Sequence, residues 1–192
     1  MNTTTIIILL LALVIIWFIA TYNKLIRFIE EVNNNKQQID VQLDRRFKVF
    51  ESLIEVVKKY MDYEKTTLKE VVALRNQAQK AQSQGSEKER MAAEDAISKI
   101  GSNINFLFEQ YPDLKANQNA MQLQEEIVNT ENQLAFAKQA YNDSIEKYNA
   151  FRKAFFASMV AGLCSAKLFK EFVYWGVSDD KRKEHEEYKV KL

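Results

Sequence analysis

The sequence predicts an all-α protein, with one N-terminal transmembrane helix followed by an antiparallel, up-and-down bundle of long helices. Three observations carry that prediction. The 192-residue chain has only four glycines (Gly85, Gly101, Gly162, Gly176) and one proline, Pro112, so positions for tight turns or helix breaks are scarce. Residues Ile6 to Ala20 are apolar without exception and have no polar face. Downstream, apolar residues recur at three-to-four spacing for many turns, the period of a helix with one buried stripe.

The apolar run is flanked by Thr3, Thr4 and Thr5 before it and by Thr21 and Tyr22 after it. With the flanks it amounts to about 20 residues and roughly 30 Å of helix, enough to cross a hydrocarbon core. Most of its residues are Ile, Leu, Val or Phe, so insertion is favoured by about 4 to 7 kcal/mol. Ile6, Leu10, Val14, Trp17, Ala20 and Tyr22 mark the expected anchor, with Trp17 and Tyr22 as interfacial aromatics at one end. A cleaved signal peptide is the competing reading. No Lys or Arg precedes the run, and Phe18-Ile19-Ala20 is a poor cleavage site, which favours an uncleaved anchor. Lys24, Arg27 and Lys36 follow the span, and this asymmetry places the N-terminus outside and the bundle in the cytoplasm.

The chain divides into three segments: an anchor over residues 1–22, a helical bundle over 23–177 and a charged tail over 178–192. From Tyr22 to about Gln82 neither Gly nor Pro occurs, and Ile39, Leu43, Phe50, Leu53, Val57, Tyr60, Val71 and Leu74 form the helical stripe. Asn33-Asn34-Asn35 is a potential weak point, because asparagine competes for backbone hydrogen bonds. Ser86 with Glu89 reads as a capping box restarting a helix that carries Ile97, Ile100, Ile104, Leu107 and Phe108. That helix is expected to stop near Gln110, ahead of Tyr111-Pro112-Asp113. Asn119 with Gln122 is a candidate cap for the next helix, from about Ala120 to Phe155. Its stripe, Leu123, Ile127, Thr130, Leu134, Ala137, Tyr141, Ile145, Tyr148 and Phe155, has the cleanest period in the chain. Residues 151–177 are apolar and aromatic, and read either as a fourth helix or as an interfacial one.

Composition excludes more chemistry than it suggests. Lys and Arg number 27 against 26 Asp and Glu, interspersed, which gives no basic surface for nucleic acid. The single cysteine, Cys164, excludes an internal disulfide and a cysteine-built zinc site. The single histidine, His185, lies in the charged tail, which excludes histidine-ligated metals, His-based triads and the Glu-x-x-His pairs of di-iron bundles. Cys164 is read as a small hydrophobe rather than a nucleophile paired with His185. No glycine-rich phosphate loop is present. No cofactor, metal or catalytic residue is expected. Glu125 and Glu126 point about 100° apart on a helix and are read as a solvated face. Arg45 and Arg46 are a possible anion clamp, read instead as an exposed pair facing water or an acidic neighbour such as Asp44 or Glu51. Tyr141, Tyr148, Phe151 and Phe155 are read as core, with Asn142 and Asn149 as nearby hydrogen-bond partners.

Several ordered motifs carry a resemblance. They are Tyr22-Asn23 after the anchor, Gln38-Ile39-Asp40-Val41-Gln42-Leu43 with Arg45-Arg46, and Tyr63-Glu64-Lys65-Thr66-Thr67-Leu68. Tyr111-Pro112-Asp113-Leu114-Lys115-Ala116-Asn117 comes next, then Leu123-Gln124-Glu125-Glu126 with Thr130-Glu131-Asn132. Phe136-Ala137-Lys138-Gln139 with Tyr141-Asn142, Tyr148-Asn149 and Val160-Ala161-Gly162-Leu163 complete the set. Over residues 1 to about 165 the chain resembles the LemA family of bacterial membrane proteins. It departs where the family often has proline, at Glu51 and at Phe156, so helical continuity is expected through both points. The family's Phe-Gly pair near Cys164 and Ser165 is also missing. The resemblance implies an up-and-down helical bundle with a short extracytoplasmic N-terminus, and no established enzymatic reaction. Relatives are associated with membrane organisation, including magnetosome formation, and some are encoded beside membrane-bound metalloproteases.

The expected function is a membrane-anchored scaffold of the bacterial inner membrane that assembles with itself as a homo-oligomer. Membrane lipid and other membrane proteins are the remaining expected partners. The alternative is a lipid-binding or membrane-remodelling module built on Phe155, Phe156, Phe169, Phe172, Tyr174 and Trp175, with Lys167 and Lys170 meeting anionic headgroups. A role as adaptor for a membrane metalloprotease ranks behind both.

Overall fold

The structure is a computed structural model of the chain and describes residues 2–57, 64–110 and 117–176. Among these residues all regular structure is helical: α1 (Thr3–Val57), α2 (Glu64–Ser83), α3 (Glu87–Gln110), α4 (Gln118–Lys153), α5 (Phe155–Leu163) and α6 (Ser165–Leu168). The chain divides into two units, Met1–Ile39 with Ala137–Tyr174, and Asp40–Phe136 with Trp175–Leu192. Both α1 and α4 contribute to each.

In the first unit α1 and α4 run antiparallel. Phe28 meets Phe151 edge to face at 5.4 Å, Lys147 Nζ pairs with Glu31 at 3.2 Å, and Asn35 Nδ2 donates to the Ala140 carbonyl at 3.1 Å. As the chain rises on one helix it falls on the other. The core between them is Leu25, Ile29, Val32 and Ile39 with Tyr141, Ile145 and Tyr148, closed by Ala157, Val160, Ala161 and Leu168. Helix α1 passes through Asn33-Asn34-Asn35 without a break. The Asn35 amide bonds across to α4 rather than to its own turn, so the local competition that asparagine offers is directed into packing.

The second unit packs α1 against α2, α3 and α4. Val49, Phe50, Leu53, Ile97, Ala120 and Ile127 form a buried cluster, with Val56, Ile100 and Leu123 at its edge. Arg75 reaches back to Asp44, Arg46 reaches forward to Glu94 and Ser98, and Arg45 meets Glu126. Together with the packing of α2 on α3, these pairings give the up-and-down order expected from the sequence. Helix α2 ends in a Schellman turn: Gly85 N–H donates to the Gln82 carbonyl at 3.1 Å and Ser86 N–H to that of Ala81 at 2.8 Å. Gly85 sits at φ +74, the left-handed geometry such a turn requires and a side chain resists.

Three details differ from the sequence reading. Asn117, not Asn119, caps α4, its Oδ1 accepting from the N–H groups of Asn119 at 3.0 Å and Ala120 at 3.2 Å. Helix α4 therefore starts before Ala120. Its other end comes at Lys153 rather than Phe155, because Ala154 is extended, at φ −61 and ψ 139. Continuity holds at Glu51, inside α1, but near Phe156 the helix breaks without a proline. The break turns Ala157, Val160 and Ala161 inward, so packing rather than a breaker residue ends the helix. Finally, the described residues 151–176 do not form a single fourth helix. Two short helices are followed by backbone without regular secondary structure from Phe169 to Gly176. The expected stop at Tyr111-Pro112-Asp113, the stripe residue Tyr60 and the charged tail lie outside the described residues.

Candidate functional site

Two places carry unusual side-chain chemistry, one in each unit. In the second unit, Leu43, Arg46 and Phe50 share the inward face of α1, and Arg46 is only 2 % exposed. Its Nη2 pairs with the Glu94 carboxylate. Its Nη1 donates to Ser98 Oγ at 2.7 Å and to the Glu94 carbonyl at 3.3 Å, and faces Glu131 Oε1 at 3.5 Å. Ser98 Oγ in turn donates to Glu131 Oε2 at 3.1 Å. One guanidinium thus ties α1 to α3 and α4.

Around it lie further pairs. Arg90, also buried, pairs with Asp40, lies 3.8 Å from Glu87 and stands over the Trp175 ring at 5.4 Å. Asp44 is held by Lys48 at 2.7 Å and Arg75 at 3.3 Å, while the Arg75 guanidinium covers Phe47 at 3.5 Å. The hydrogen bond from Lys48, with the positive charges of Lys48 and Arg75, holds the Asp44 carboxyl below its ordinary value of 3.8 against the opposing effect of desolvation. A cleft of about 210 Å³ runs between these groups, lined by Asp40, Asp44, Arg46, Arg75, Arg90 and Glu94 among others. Three arginines face three carboxylates. The charges answer one another within the cleft.

The arginine pair is therefore split. Arg46 is buried instead of exposed, and Arg45 pairs with Glu126 rather than with Asp44 or Glu51. Glu126 is drawn into that pair, while Glu125 faces solvent. A signal for the buried cluster existed in the sequence. Met91, Glu94 and Ile97 fall at steps of three, which places a carboxylate on the apolar stripe of α3, just as Arg46 lies on that of α1.

In the first unit the expected anchor residues Ile6, Leu10, Val14, Trp17 and Ala20 are all exposed, and Tyr22 is half-buried. The segment has a mean hydropathy of 2.8 and none of it is buried, which makes it long and apolar enough to cross a membrane. Full burial begins immediately after it, at Thr21 and Leu25.

The aromatic segment separates into two sets. Phe155, Phe156, Phe169 and Tyr174 are exposed, whereas Phe172 is half-buried against Tyr148 at 5.4 Å and Trp175 is buried. Within the stripe read as core, Tyr141 and Tyr148 are buried, Phe151 is half-buried and Phe155 is exposed. The tyrosine hydroxyls find partners beyond α4 rather than on Asn142 or Asn149. Tyr148 donates to the Leu168 carbonyl at 2.6 Å and accepts from Lys170 N–H at 2.9 Å, and Tyr141 donates to the Val173 carbonyl at 3.1 Å. Asn149 donates instead to the Tyr174 hydroxyl at 3.3 Å.

Described residues whose regular structure is all helical, with a candidate membrane span at one end and an internally neutralised charge cluster, define a class of helical-bundle proteins with a candidate N-terminal anchor. The chain belongs to the LemA family, whose model matches residues 35–191. The match begins after the apolar segment and continues past residue 165, where the sequence motifs end, into the C-terminal residues. A similar protein is "Protein LemA" of Metamycoplasma hominis, 26 % identical over 144 residues, or 75 % of this chain. The alignment spans 65 % of that relative's length.

Proposed function

We propose that this protein is a membrane-anchored, non-catalytic scaffold that assembles with itself and organises the membrane or its proteins. The observation that carries this reading is the continuity of α1. One helix runs from Thr3 to Val57, exposes its apolar first turns and buries Val49, Phe50 and Leu53 in the core of the bundle. Tether and core element are a single piece of backbone. The bacterial inner membrane, with the N-terminus outside and the bundle in the cytoplasm, is the setting that the lysine and arginine distribution favours.

Self-assembly is supported by apolar side chains left on the bundle surface, among them Val41, Met121, Val128 and Phe136. Each alone is ordinary surface. Confinement to a membrane plane raises effective concentration, so weak lateral contacts through such residues suffice for association. The test is sedimentation of the detergent-extracted full-length protein over a range of concentrations, beside a pull-down from native membranes. Species larger than the monomer are expected. A monomer throughout, with nothing retained in the pull-down, overturns the proposal.

A further inference from the structure

We infer that α5 is a second membrane element, a nine-residue helix lying in the headgroup boundary of the leaflet from which α1 emerges, its outer face covered by acyl chains. The inference rests on α1 being a membrane span. Its starting point is an inverted residue distribution. The large side chains Phe155, Phe156, Met159 and Leu163 are 75 %, 64 %, 57 % and 79 % exposed, while the small Ala157 and Ala161, with Val160, face the protein. A helix packed for water does the opposite.

The position of α5 identifies what covers it. Phe156 meets Trp17 edge to face at 5.9 Å, and Phe155 meets Phe156 at 5.1 Å. Trp17 lies close to the end of the apolar run, at the depth where tryptophan settles between lipid and water. The contact sets the start of α5 at the same depth. Charge shows the same pattern. Residues 155–163 carry no ionisable group, Arg152 and Lys153 precede them, and Lys167 and Lys170 come after, with Glu171 the nearest acid in sequence. An apolar helix bracketed by cations suits an interface containing anionic lipid. Arg152 is already engaged, over the Phe169 ring at 4.2 Å and the Tyr148 ring at 5.3 Å, which leaves the three exposed lysines to meet headgroups.

The geometry is held from behind. Ala154 directs the chain away from α4, and the Tyr148 hydroxyl fastens the returning backbone at Leu168 and Lys170. The helix is presented as a fin with both ends fixed.

The test uses the full chain in vesicles of phosphatidylcholine and phosphatidylglycerol. In a Cys164→Ser background, single cysteines at Met159→Cys or Leu163→Cys carry an environment-sensitive fluorophore, with Leu10→Cys and Val128→Cys as references for the span and the bundle. Blue-shifted emission at both α5 positions is expected. Lipids carrying a nitroxide near the top of the acyl chain should quench them about twofold, and those labelled near the chain end should quench them less. Leu10→Cys should show the reverse order. If the α5 probes stay in water while Leu10→Cys is quenched, the inference fails and the anchor stands. If Leu10→Cys is not quenched, the anchor reading fails and the inference with it. Shielding of the α5 probes without lipid quenching, lost on dilution with excess lipid, would mean that a second copy covers the face, and would also overturn the inference.

Discussion

Two neighbouring arginines illustrate how far one residue of helix separates roles. Arg46 is enclosed with Glu94, and Arg45 pairs with Glu126 at the surface, where the two side chains are 43 % and 37 % exposed. Removing Arg46 takes the guanidinium away from the buried Glu94 carboxylate. Arg46→Ala should therefore lower the stability of the detergent-solubilised protein by about 3 to 5 kcal/mol, while Arg45→Ala should change it by less than about 1 kcal/mol. Chemical denaturation of both variants checks the contrast, and an Arg46→Ala, Glu94→Ala cycle isolates the pair. Asp44 supplies a pH dependence. Its carboxyl is depressed in the folded protein, so its contribution is fully present above its unfolded value, near 3.8, and disappears as pH falls through the lower folded value. Asp44→Asn should flatten stability against pH in that acid range and leave neutral behaviour similar, as measured by denaturation at a series of pH values. Sequence alone conveys the charge of these residues but not their enclosure. Whether Arg46 faces water depends on α3 and α4, which are distant in the chain.

At the scale of elements, periodicity was an accurate guide wherever a helix buries a continuous stripe. Leu43, Phe50, Leu53, Ile97, Ile127, Leu134, Tyr141, Ile145 and Tyr148 are all buried as their spacing predicts. Ends were harder to read, because a cap is a local hydrogen-bond choice between similar residues. Asn117 and Asn119 are both plausible by type, and the geometry selects the first. Asn117→Ala should destabilise the protein by about 1 kcal/mol, and Asn119→Ala by a few tenths at most, as chemical denaturation would show. The break at Ala154 had no breaker residue to announce it. Its complement is the irregular run after α6, which no period describes because it is held by side chains of α4, among them the hydroxyls of Tyr141 and Tyr148. Tyr148→Phe removes both bonds at Leu168 and Lys170, at a cost of about 1 to 3 kcal/mol. Faster hydrogen exchange at the Lys170 amide, with α4 amides unchanged, is the expected signature.

For the whole molecule, the all-helical class and the candidate span were legible from the scarcity of glycine and proline and from one apolar run. Such features act over many residues and tolerate local ambiguity. The candidate site was less legible, since exposure at Phe155 and burial at Trp175 arise from the path of a segment whose composition is uniform. The way that segment is fastened has a further consequence. The backbone leaves α4 at Ala154 and is caught again by Tyr148 at Leu168, a buried residue, and by Tyr141 at Val173. A protease that cuts once within α5 would open the chain without releasing the residues beyond the cut. The nicked protein should run as two bands on a denaturing gel yet elute as one species under native conditions, and Tyr148→Phe should loosen the grip on the smaller fragment.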